Sequence, residues 1–231
     1  MIKNEIEDRG RQFHDSLQNH YKDYIKFFEY WLGDKENFIR ELCFGYEETA
    51  FRKLTTSSQH LLKQLLYYCD PDANIRSNRS PVPNVWISVF EFESLDPDSK
   101  RPRPLYSSAI INTIPFDFDF EECLQVAWDE AEPLRGVGGR VLFTGKKGFQ
   151  AHLPSEVRLT PEQLKAAQEA RHLVLDWQSS DPAIYGDAAR VLRLPFSLHR
   201  ETGLCAVLVQ DDDTLESVLD RAQQVVVPCP R

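Results

Sequence analysis

Phe116-Asp117-Phe118-Asp119-Phe120 is the segment of this 231-residue chain whose residue types point most directly to chemistry. On a strand, alternate side chains share a face. The three phenylalanines then enter the core, and Asp117 and Asp119 project together on the other side. Two carboxylates this close repel unless a cation lies between them. Hard cations such as Mg²⁺ or Mn²⁺ prefer oxygen ligands of this kind. The plainer alternative is an amphipathic strand with an acidic solvent face. Acidic residues are disfavoured in strands, which gives the metal reading its weight.

Two further segments carry cations. Thr144-Gly145-Lys146-Lys147-Gly148 lies between apolar strand residues. Its glycines let backbone amides approach an anion, and its lysines add charge. The spacing is not that of a phosphate-binding Walker loop. A lysine-tipped hairpin is the alternative. Past that turn, Gln150 and His152 share one strand face; a lone histidine is more often structural than catalytic. The stretch from Arg193 through Ser197 and His199 to Leu204 is irregular and holds Arg193, His199 and Arg200. It suits a loop open to a triphosphate, and equally an ordinary surface loop.

Elements must position these segments. Residues 1–44 read as helical, with Phe13, Leu17, Tyr21, Tyr24, Phe27, Phe28 and Trp31 at helical spacing as a packing face. A second helix is expected over 57–68 and a loop over 70–83. Val85–Phe92, Leu105–Ile111 and Ile114–Phe120 read as strands. A helix from Glu121 stops at Gly136, and two short strands flank the lysine turn. Thr160-Pro161-Glu162-Gln163 is a capped helix start running to about Trp177. Leu204–Val209 reads as a strand, and 214–224 as a helix capped by Asp213.

Composition sets the bounds. Hydrophobic residues make up 42 % and charged residues 27 %, as in an ordinary globular protein. No apolar run is long enough to cross a bilayer, and the first residues lack the blocks of a signal peptide. A cytoplasmic protein without membrane contact is expected. Five cysteines, at 43, 69, 123, 205 and 229, form no Cys-x-x-Cys pair. Reduced, mostly buried thiols are expected, without a disulfide framework or structural zinc. The net charge of −9 argues against a surface that grips nucleic acid everywhere, so phosphate contacts must be local.

Taken together, the three segments resemble the catalytic subunits of archaeal and eukaryotic DNA primases, the primase–polymerase superfamily. That family shows an Asp-x-Asp strand, a Ser-Gly-Arg-Arg-Gly-x-His hairpin, and a Leu-x-Arg-x-Pro-x-Ser-x-His-x-x-Thr-Gly loop. Asp117-Phe118-Asp119, Thr144 to Gln150, and Leu192 to Gly203 are similar to them in that order. The family's third aspartate stands fourteen residues before the loop proline; counting back from Pro195 reaches Asp181. Arg40-Glu41-Leu42-Cys43-Phe44 and Ile87-Ser88-Val89 are weaker echoes. The similarity spans roughly residues 40–210.

The resemblance implies an α/β (α+β) primase–polymerase fold: a mixed catalytic sheet with flanking helices and an RNA-recognition-like module. It implies one catalytic domain over 1–231, with a helical part over about 1–80 and a core over about 85–210. Asp117, Asp119 and Asp181 would hold two divalent ions, Mg²⁺ or Mn²⁺. Thr144, Lys146, Lys147, Gln150, His152, Arg193, Ser197 and His199 would contact the incoming nucleotide. The implied function is a template-dependent nucleotidyltransferase, a DNA primase or primase–polymerase making short RNA or DNA primers. Its partners would be a single-stranded DNA template and nucleoside triphosphates, with a primase large subunit or a helicase alongside. Two alternatives stand: an inert nucleic-acid-binding subunit with the same fold, and another metal-dependent phosphoryl-transfer enzyme such as a nuclease. The sequence departs from the family at Gln150, where the hairpin histidine is expected, and in lacking the zinc-binding cysteines.

Overall fold

A computed structural model describes residues 3–19, 23–26, 28, 38–46, 49–120 and 122–224. Helix α1, Lys3–Asn19, buries Ile6, Phe13 and Leu17 along one stripe. Tyr24 and Phe28 are buried too, so the packing face holds there. Tyr21, Phe27 and Trp31 lie outside the described residues. The helix expected up to residue 44 does not extend that far. Arg40–Tyr46 is instead strand β1, paired antiparallel with β2, Thr49–Thr55. The misreading has a physical cause. From Glu41 onward β1 is buried on both faces, so it shows no alternation of apolar and polar residues.

Helix α2, Ser58–Tyr68, starts where the Ser57 hydroxyl accepts the His60 amide (3.1 Å). The expected loop over 70–83 contains a short helix, α3, Pro71–Arg76, capped by the Asp70 carboxylate. The single strand expected over 85–92 is two: β3, Asn84–Ser88, and β4, Glu91–Phe92, which belong to different sheets. The two strands expected between 105 and 120 are one, β5, Ala109–Asp119, with a register irregularity between Ile111 and Thr113.

Helix α4, Leu124–Ala131, gives way to a 3₁₀ turn at Glu132–Val137, where Pro133 removes a helical donor. Strands β6, Arg140–Phe143, and β7, Gly148–Leu159, form the expected hairpin around the lysine turn. Helix α5, Pro161–Leu175, begins with the expected Thr160/Gln163 capping box. Strand β8 is Val191–Arg193, and β9 is reduced to Val207–Leu208. Helix α6, Leu215–Ala222, is capped by Thr214, not by Asp213. The Asp213 carboxylate instead holds the Arg221 guanidinium at 2.6 Å.

Two sheets result, with strand orders β2-β1-β3-β8 and β4-β5-β7-β6-β9. Every named strand pair is antiparallel, where a mixed sheet was expected. The α/β class with helices against sheets holds. β5 is the hub of the larger sheet. Phe116 and Phe118 are fully buried, and Trp177 meets both rings edge-on at 4.8 and 5.0 Å. Phe120, expected in the core with them, is half-buried at its edge. Gln168 of α5 is buried with both ends of its amide used, donating to the Pro115 carbonyl (2.6 Å) and accepting the Gly186 amide (2.8 Å). Cys43, Cys69 and Cys205 are buried free thiols, Cys123 is exposed, and Cys229 lies outside the described residues. No helix among the described residues is long and apolar enough to cross a membrane.

Candidate active site

The end of β5 places Asp117 opposite Gln150 and Asp119 opposite Gly148 of β7. On its other edge, β5 is joined by the segment Ser179–Asp181. The Asp119 amide donates to the Ser179 carbonyl, and the Asp181 amide donates to the Asp117 carbonyl, each at 2.8 Å. Three carboxylates distant in sequence therefore meet at one strand end. Glu130 of α4 ties the third one in place. Its carboxylate accepts the Gln178 amide (2.6 Å), the Ser179 amide (2.9 Å) and the Ser179 hydroxyl (2.5 Å). No local motif around Glu130 announces that role.

Burial pushes the Asp117 carboxyl up to about 7, with the Asp119 and Asp181 charges adding to the rise. Arg190 and a hydrogen bond from Gln150 act in the opposite direction. The other two side chains face cations. Asp119 Oδ2 lies 3.5 Å from Lys147 Nζ, and Asp181 Oδ2 lies 3.5 Å from Arg190 Nη2. Asp181 Oδ1 also accepts the Ala183 amide (2.9 Å). Among the described residues, no three His, Cys, Asp or Glu side chains stand in metal-holding geometry. The donor set itself fits a hard divalent cation: all oxygen, carboxylate, with Asp117 resisting ionisation through burial first and the Asp119 and Asp181 charges after it. Arg190 is the neighbour that sequence reasoning missed.

The hairpin closes tightly against this centre. The Thr144 hydroxyl and amide both donate to the Gly148 carbonyl at 3.0 Å, so Thr144 shapes the turn. A Cβ on Gly148 would stand 2.1 Å from the Phe118 carbonyl oxygen and 2.2 Å from Asp119 Oδ1. Only glycine lets the two strands approach there. Gly145 has φ +90°, and its carbonyl accepts the Thr202 hydroxyl (2.6 Å), which clamps the hairpin to the third segment. Lys146 pairs with Glu201 at 2.5 Å.

The third segment supplies buried groups. Ser197 is buried, and its hydroxyl donates to the Leu194 carbonyl (2.7 Å) within its own loop. His199 accepts the Glu201 amide at Nδ1 (3.2 Å). Burial and the Arg193 charge push its imidazole down to about 4, which keeps it neutral. Arg193 is only 5 % exposed. Its guanidinium lies 5.2 Å from the Trp86 ring, and burial lowers its pKa to about 10. Its charge interacts with both Asp117 and Asp119. His152 stands one same-face position beyond Gln150, opposite Pro115 and Arg140, and lines a cavity between the two sheets. Of the sequence candidates, Asp117, Asp119, Asp181, Gln150, Lys147 and Arg193 bear on one another directly. Thr144, Lys146 and His199 frame them. Ser197 and His152 point elsewhere. The two weaker echoes also meet in space, since Arg40 donates to the Ser88 carbonyl (2.8 Å).

Solved structures share this architecture. The primase–polymerase domain of cyanophage S-2L matches with a TM-score of 0.52 at 16 % identity, covering 86 % of this chain and 97 % of that one. The chain has the primase–polymerase fold. The polymerase domain of Mycobacterium tuberculosis Ligase D, solved with DNA, matches at 0.51 and 14 % identity over 95 % and 88 % of the two chains. The catalytic domain of primase RepB′, solved with initiator DNA, matches at 0.51 and 15 % identity over 87 % and 93 %. No family model and no curated protein sequence matches the chain.

Proposed function

We propose that the chain is a template-dependent nucleotidyltransferase, a primase or primase–polymerase that makes short RNA or DNA strands from nucleoside triphosphates. The observation that supports this best is the meeting of Asp117, Asp119 and Asp181 through two backbone hydrogen bonds, beside a hairpin carrying two lysines. Its fold neighbours include two domains solved with DNA, which suits a single-stranded DNA template.

In this reading Asp117, Asp119 and Asp181 hold Mg²⁺ or Mn²⁺. When bound, such ions activate a hydroxyl and neutralise a triphosphate. The chain's own groups do the rest. Lys147 and Arg190 rest against Asp119 and Asp181, and with those carboxylates held by a cation they would be placed to meet phosphate oxygens. Lys146 and Arg193 add positive charge where it develops on the transferring phosphoryl group. Gln150 orients Asp117 through its hydrogen bond. Neutral His199 stays buried beneath the loop as a positioning residue for Arg193 and Lys146.

Primer synthesis and primer extension with Mg²⁺ or Mn²⁺ test this, beside the Asp117→Ala/Asp119→Ala double variant. Product from the wild type and a loss of roughly 10³-fold or more in the double variant is expected, as for removal of a group that stabilises transition-state charge. Equal product from both would sink the assignment.

A further inference from the structure

Helix α1 reaches the lysine hairpin through a single side chain. Arg9 Nε donates to the Gly203 carbonyl at 2.7 Å, across 194 positions of sequence. Its Nη2 lies 3.5 Å from the carbonyl of Ala222, the last residue of α6. A guanidinium suits that place, because the last carbonyls of a helix carry partial negative charge and lack helical partners. The same Ala222 carbonyl accepts the Cys205 amide (2.8 Å), so α6 is tied to this stretch of chain twice. The next residue of α1 sets how closely the helix approaches. A Cβ on Gly10 would stand 2.7 Å from a Val82 methyl group, so α1 packs directly on the segment that leads into β3. Arg9 is therefore aimed from a fixed support.

The turn that Arg9 holds is the one that grips the hairpin. Gly203 has φ +65°, and its amide closes the turn onto the His199 carbonyl (2.8 Å). The other end of the turn has its own anchor, since the Arg200 amide donates to Asn84 Oδ1 of β3 at 2.9 Å. Residues 200–203 are thus tied at one end to β3 and at the other to α1 and α6. Between the two ties stand both contacts to the hairpin, the Thr202 hydroxyl on the Gly145 carbonyl and Glu201 on Lys146. The Arg9 bond has a charged donor, which makes it one of the stronger kind. The packing stripe of α1 is carried by Ile6, Phe13 and Leu17, so Arg9 is not what seats the helix.

We propose that Arg9 is a positioning residue for the incoming nucleotide. Through Gly203 it holds the Arg200–Gly203 turn, and through that turn it keeps the Thr144–Gly148 hairpin in the shape that receives phosphate. This rests on the polymerase reading. The carboxylates are held separately, by the backbone bonds of β5 and by Glu130. Loss of the brace therefore reaches the nucleotide and spares the metal.

The test is calorimetric titration of the Mn²⁺-loaded full chain with ATP and with dATP. Wild type is compared with Arg9→Met, which keeps an unbranched helix former and removes the donors. Circular dichroism checks the fold. Arg9→Met is expected to weaken nucleotide binding roughly tenfold, the scale of a lost charge-assisted contact. Its Mn²⁺ affinity without nucleotide, followed by electron paramagnetic resonance, is expected to stay within about twofold, since the two sites share no support. Thr202→Val breaks the next link without touching α1 and is expected to weaken the nucleotide roughly fivefold. The double variant is expected to stay within about twofold of the weaker single one, because both act along one chain of contacts. Unchanged nucleotide affinity in Arg9→Met, an equal loss of Mn²⁺ affinity, or fully additive losses with Thr202→Val each overturn the proposal and leave the polymerase reading standing. Wild type that binds neither nucleotide overturns both.

Discussion

The two cationic regions beside the carboxylates are built on opposite principles. In the hairpin, Lys146 and Lys147 are partly exposed and each rests against an acid, Glu201 and Asp119. Between the sheets, Arg193 is buried and stacked on Trp86, with no hydrogen bond at Nε or Nη1 and the Asp117 and Asp119 charges acting on it. Exposed lysine pairs cost little to form and little to break. They can exchange a carboxylate for a phosphate as a ligand arrives. A buried guanidinium cannot relax in that way; it is fixed before the ligand comes, and the empty protein bears the desolvation. The difference teaches that the hairpin's cations can change partners at little cost while the buried guanidinium is fixed in place.

Two substitutions sharpen this contrast. Arg193→Met removes a desolvated charge and keeps an apolar surface for Trp86. Thermal or urea unfolding of the ligand-free variant is expected to show a gain of roughly 1–3 kcal/mol. A loss of that size would mean the guanidinium is already satisfied and the contrast is false. The smaller effect belongs to Lys146→Ala. Breaking an exposed pair shifts ligand-free stability by about 0–1 kcal/mol. A larger loss would show that the Lys146–Glu201 contact is structural, and the hairpin would then resemble the buried guanidinium in being fixed.

Much of the candidate site was legible because its segments carry local signals. Phe116 to Phe120 alternates as a half-buried strand must, and the Thr144–Gly148 turn ends in Gly148, which the close approach to Phe118 and Asp119 requires. Asp181 was reachable only through its spacing from Pro195, since its place depends on Glu130, a partner from another helix. Arg190 had no signal at all. The cavity was invisible in sequence because Arg40, Arg140 and Arg193 come from three strands far apart in the chain. The fold was read correctly where elements are amphipathic or capped, as in α5 with its Thr160/Gln163 box. It was misread at β1, covered on both faces, and across Val85–Phe92, where the chain passes from one sheet to the other within two residues.

The central claim is that Asp181 joins Asp117 and Asp119 in holding a divalent cation, and Mn²⁺ binding followed by electron paramagnetic resonance tests it most directly. Asp117 titrates at about 7, so below that pH a proton competes with the metal. Affinity is therefore expected to rise as pH increases from 6 to 8, flattening above 7, because deprotonation frees the carboxylate that binds. Asp181→Asn is expected to weaken Mn²⁺ at pH 8 by roughly tenfold or more, the scale of a lost charged contact. Binding that ignores both pH and Asp181→Asn would contradict the claim.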